Sequence, residues 1–134
     1  MLAVILAFAL SVGPAPAEAS WRPAGCGVAS RMSQDEMRTA EDEASRGNIG
    51  ASVSLECHHL AIGDESGAIG WLRQSAAWEP LTGLRYVRYL LSVGDKRSCL
   101  SAVELTRKYL TMDWLPDDVR REILAQNEKA YGCS

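Results

Sequence analysis

The chain has few of the residues that usually signal chemistry. It holds two histidines, His58 and His59, and they are adjacent. Neighbouring residues on a helix point about 100° apart, so these imidazoles cannot close on one tetrahedral metal from the same face. The zinc spacing His-Glu-x-x-His is missing, as are Gly-x-Ser-x-Gly, the phosphate loop and the dinucleotide fingerprint. Glu56 and Ser54 lie near the histidines, but no third group stands at a spacing that would orient an acid–base pair or a nucleophile. No residue is therefore assigned a catalytic, metal-binding or cofactor-binding role.

An excess of either charge is also lacking. The segment from Met1 to Leu10 is almost continuously apolar, though no Lys or Arg precedes it. It is too short for a mature transmembrane helix, which needs about 20 apolar residues. Gly13, Pro14 and Pro16 interrupt it, and Ala17-Glu18-Ala19 has the small-x-small form of a signal-peptidase site. These features predict a cleaved export signal over 1–19 and one domain over 20–134, which leaves 115 residues. Without Glu18 the 17 acidic residues become 16, against 14 basic ones. So even a balance gives no argument for nucleic acid or for an anionic membrane. No second apolar run is long enough to span a bilayer, so the expected mature protein is soluble, in a periplasm or a secreted space.

No stretch alternates with the period of a strand; the apolar residues recur at three and four. The expected fold is all-α, six helices packed as antiparallel hairpins. Ser33-Gln34-Asp35-Glu36 is a capping box that opens a helix running to about Arg46, stopped by Gly47. A second helix, Ile49 to Ala61, is expected to bury Val53, Cys57 and Leu60, with Leu55 beside them. A third, about Ser66 to Ala77, carries Ala68, Leu72 and Ala76 inward until Pro80 forces a break. A fourth, about Leu81 to Ser92, presents Leu84, Val87 and Leu91. A fifth, about Arg97 to Leu110, presents Ala102, Leu105 and Tyr109, with Val103 beside them. Pro116, Asp117 and Asp118 suit the first turn of a sixth, with Val119, Ile123 and Ala130 inward, ending at Tyr131-Gly132. Trp21, Trp71, Trp78 and Trp114 fall near helix ends and are expected to plug the core.

The stretch from Gly47 to Leu110 repeats itself. Gly63-Asp64 and Gly94-Asp95 stand 31 residues apart, each between two apolar helical segments, and Ala68-Ile69 falls on Ala102-Val103, 34 residues on. Such a period belongs to stacked helix pairs. Gly47-Asn48, then Ala51, Leu55 and Leu60, Gly63-Asp64, and Ala68-Ile69-x-Trp71-Leu72-Arg73-x-x-Ala76-Ala77 together resemble a Sel-like repeat, a subclass of the tetratricopeptide-like hairpins. The resemblance covers about half the chain. The second hairpin departs from it by placing Leu105 where the tryptophan would be, and Ser52, Val53 and Ser54 replace the usual alanine, tyrosine and glycine. Members of that family are mostly binding scaffolds without chemistry of their own, and this is what the resemblance implies here.

Cys26, Cys57, Cys99 and Cys133 allow three pairings, and an exported domain favours two disulfides. Antiparallel helices bring Cys26 toward the latter half of the second helix, beside Cys57, and Cys133 toward the start of the fifth, beside Cys99. The separations are 31 and 34 residues, matching the repeat. In stacked hairpins the first helix of each pair lines the concave surface, which puts Ser54, His58, Arg85 and Tyr89 near one groove, with Arg88 adjacent. The expected function is non-enzymatic binding of a protein or peptide there, with an inhibitor or immunity-type partner as a specific form. The alternative from another class is a small periplasmic hydrolase or a thiol-redox protein.

Overall fold

The computed structural model describes residues 21–133. The expected signal segment over 1–19 lies outside them. Among the described residues six helices follow a 3-10 turn at Val28–Ser30: α1 (Gln34–Ser45), α2 (Ile49–Ala61), α3 (Glu65–Ala76), α4 (Pro80–Val93), α5 (Lys96–Leu110) and α6 (Asp117–Tyr131). Among the described residues there is no strand, and no helix is long and apolar enough to cross a membrane.

The helix starts are set by side chains that accept otherwise unpaired amides. The Ser33 hydroxyl accepts from the Glu36 amide, and the Glu36 carboxylate accepts from the Ser33 amide, as the capping box predicts. Three later turns use one device. Gly47, Gly63 and Gly94 take positive φ of 98°, 80° and 71°, which turns the chain out of each helix. The residue after each, Asn48, Asp64 or Asp95, accepts the amide of the third residue on. The repeat seen in the sequence is thus a repeated Gly-Asx turn. Pro80, expected as a break, is the first residue of α4, with the Glu79 carboxylate accepting the Leu81 and Thr82 amides.

Each helix packs on the next, and α6 returns to touch α4 as well as α5. The main core is Trp21, Ala68, Leu72, Val87, Ala102, Tyr109 and Ile123, all without solvent exposure. A smaller cluster of Ala40, Ala44, Ala51 and Leu55 joins α1 to α2. The inward faces of α3 and α6 fall where the periodicity puts them, except that Val119 is only partly buried. On α4 Leu90 is buried more deeply than Leu91, and on α5 Thr106 takes the place expected for Leu105. The α2 face differs more: Ala51, Ser52, Leu55, Glu56 and His58 are buried, while Val53, Cys57 and Leu60 are only partly so. A charged residue sits inside because a neighbouring helix supplies its counter-charge. Of the tryptophans, Trp21 plugs the core, whereas Trp78 and Trp114 are 46% and 62% exposed.

The disulfides pair Cys26 with Cys57 and Cys99 with Cys133, as the antiparallel arrangement predicts. The first holds the lead-in against α2, and the second ties the end of α6 to the start of α5. Closing loops of this length is worth about 3 kcal/mol each on chain-entropy grounds. Disulfides of this kind belong to an oxidising compartment outside the cytosol.

Candidate functional site

Helices α3 and α5 flank α4 and are bridged at one end by two side chains of α5. There the Tyr109 hydroxyl donates to the Ala76 carbonyl and the Lys108 ammonium to the Ala77 carbonyl, closing the end of α3. Tyr109 can lie there because Gly83 on α4 has no side chain; a Cβ would overlap its phenol oxygen. At the other end α3 and α5 leave a hollow of about 560 Å³ over the second half of α4. Its floor is Tyr86, Tyr89 and Leu90; one wall carries Arg73 and Ser66, the other Arg97, Ser98 and Ser101.

The floor is rigid. Tyr86 and Tyr89 stack with centroids 6.0 Å apart, and Trp21, fully buried, meets the Tyr89 ring edge-on at 5.8 Å. Burial pushes the Tyr86 phenol above its ordinary range, the Arg73 charge opposes this and Tyr89 adds to it, so the phenol stays protonated at neutral pH. Arg73 and Arg97 are exposed, and neither has a carboxylate within ion-pair distance among the described residues. None of the lining residues is acidic, in a chain whose net charge is −3. The hollow therefore combines two guanidinium groups that make no salt bridge among the described residues with hydroxyls on an aromatic floor.

The residues expected to share one groove are divided among different tasks. Tyr89 lines the hollow. Ser54 faces a second hollow of about 690 Å³ between α1 and α2, together with Asp35, Glu36 and Glu43. That hollow has no aromatic lining, and its Glu36 is already engaged in capping α1. His58 is buried and accepts the Met32 amide on Nδ1 at 2.9 Å, fixing the lead-in to α2. Arg85 turns inward and makes a two-pronged contact to Glu56 at 2.7 and 3.0 Å, and it also donates to the Trp21 carbonyl. Arg88 stands 3.5 Å from Glu122 on α6. Burial pushes the Glu56 carboxyl up, and the Arg85 guanidinium opposes it. The sequence reading missed Arg73 and Arg97 as site residues, and no local signal singles them out: like Arg85 and Arg88, they have no carboxylate three or four residues away, and only the tertiary partners differ.

His59 pairs with Asp64 at 2.9 Å, and the Asp64 carboxyl is held below its ordinary range first by the Gly67 amide and then by His59. Among the described residues no group of three or more His, Cys, Asp or Glu side chains is placed to hold a metal. Compared with protein-family models, curated proteins and solved structures, the chain matches none.

Proposed function

We propose that this is an exported, non-enzymatic binding protein that takes a protein or peptide partner in the hollow between α3, α4 and α5. The observation that carries this is the pair of arginines, without a carboxylate partner among the described residues, over a tyrosine floor. Arginine and tyrosine dominate binding hot spots, because each gives a large contact area at modest entropic cost. A floor backed by Trp21 and held by disulfides loses little freedom on binding, so less of the contact energy is spent on ordering. The likeness of the first hairpin to a Sel-like repeat supports the same reading. The apolar segment at the start of the chain favours export through a cleaved signal, to the periplasm or beyond the cell. An inhibitor or immunity-type protein that blocks a hydrolase or toxin is the specific form we favour, because a small preformed scaffold suits tight one-to-one blockade.

The test is capture from an extracytoplasmic extract with the oxidised domain as bait, followed by cross-linking and mass spectrometry. One partner at stoichiometric level is expected. Ser101→Trp, which fills the hollow from its wall, should abolish capture, while Ser54→Trp in the other hollow should leave it intact. Capture that survives Ser101→Trp, or no partner at all, would overturn the assignment.

A further inference from the structure

The hollow has a definite electrical character, and from it the chemistry of its occupant follows. Arg73 and Arg97 stand on opposite walls, exposed and without carboxylate partners among the described residues, while the chain is acidic overall. Four other arginines are already engaged with carboxylates: Arg22 with Glu65, Arg46 with Asp42, Arg85 with Glu56 and Arg88 with Glu122. Arg97 lowers the neighbouring Asp95 carboxyl only as the smallest of several effects, behind the Ser98 contacts that hold Asp95 as a helix cap. Asp95 thus spends its hydrogen bond on its own helix and makes no salt bridge to Arg97, although its charge lies close enough to be felt. A guanidinium presents planar paired donors that match a carboxylate edge to edge. A volume of about 560 Å³ is far larger than a lone inorganic anion needs and lies within the range of sites that enclose an organic ligand. The partly exposed Tyr89 ring offers apolar surface for the carbon chain that carries such a group.

Resting on the binding function proposed above, we infer that the hollow recognises carboxylate groups of an acidic peptide segment, with Arg73 and Arg97 as the two contacts. The carboxylates come either from glutamate and aspartate side chains or from a chain terminus. Hydroxyls of Ser98 and Ser101 supply further donors along one wall. The contact is exposed, so it weakens as salt rises.

The test is an amide NMR titration of the oxidised protein with short blocked peptides. Acetyl-Glu-Gly-Glu-amide carries only side-chain carboxylates, acetyl-Gly-Gly-Gly only a terminal one, and acetyl-Gln-Gly-Gln-amide has the shape without charge. Saturable shifts at Arg73, Tyr89 and Arg97 are expected with either of the first two, and which one acts identifies the source. Arg73→Gln and Arg97→Gln, both surface changes, should each weaken binding about fivefold, as expected for an exposed charge contact. Equal binding of the glutamine peptide would overturn the inference, as would tighter binding of inorganic phosphate at the same amides. Shifts that depend on protein concentration alone would also overturn it, marking the acidic α1 of a second copy as the occupant. The two readings fail separately. If the double Arg73→Gln, Arg97→Gln variant still captures a partner that Ser101→Trp loses, the hollow binds but not through carboxylates.

Discussion

Arg85 shows how a residue suited to binding can be taken up by the core. Its guanidinium neutralises Glu56, which has no solvent exposure, and the same group satisfies the Trp21 carbonyl. Removing one partner of a buried pair leaves an uncompensated charge, at a cost of about 3–5 kcal/mol. Arg85→Met is therefore expected to lower urea-denaturation stability by that order. Replacing both groups, as Glu56→Leu with Arg85→Met, should recover most of the loss. In the single variant Glu56 loses the contact that opposes burial, so its folded pKa rises further above the unfolded value. The folded state then binds more protons than the unfolded one, and stability should increase as pH falls through that window. A single variant as stable as the parent at every pH would mean that the pair is not structural. In the sequence Arg85 reads as a surface arginine because its partner is 29 residues away on another helix.

The helices owe their boundaries to local chemistry, which is why their order and limits were largely legible in the sequence. Asp64 and Asp95 each accept an amide at a helix start, and that hydrogen bond is the main cause holding both carboxyls below their ordinary value of 3.8. A carboxyl with a depressed folded pKa binds fewer protons folded than unfolded. Its contribution is complete above the unfolded value and is lost as pH falls through the folded one. The melting temperature should thus fall steeply below about pH 4. Asparagine keeps the cap but cannot titrate. An Asp64→Asn, Asp95→Asn variant should therefore show a shallower acid fall in circular dichroism melts, with little change at neutral pH. An unchanged acid limb would put the titration elsewhere, on Glu36 or Glu122. The buried faces were less legible than the boundaries. On α2, burial of Glu56 and His58 answers to Arg85 and to the Met32 amide, and periodicity carries no information about partners on other segments.

Across the whole molecule, two cross-links hold the ends of a short array whose outer helices bury only one side. The lead-in reaches the core through Trp21 and is held by Cys26–Cys57, Arg85 and the His58 contact to Met32. Cys26→Ser with Cys57→Ser is expected to cost about 3 kcal/mol. It should also loosen Trp21, seen as increased acrylamide quenching of a red-shifted fluorescence component. Loss of stability without any change in quenching would mean that Trp21 stays seated without the disulfide. The sequence by itself determined the all-helical class, the six helices and both disulfide pairings, because capping, glycine turns and apolar spacing act within a few residues, and antiparallel neighbours bring the cysteines together. Only the tertiary structure decided which arginines are free. Arg85 and Arg73 are alike as sequence, yet one faces a buried carboxylate on α2 and the other an open hollow over α4. That difference depends on how three helices separated in the chain are spaced, and no local pattern encodes it.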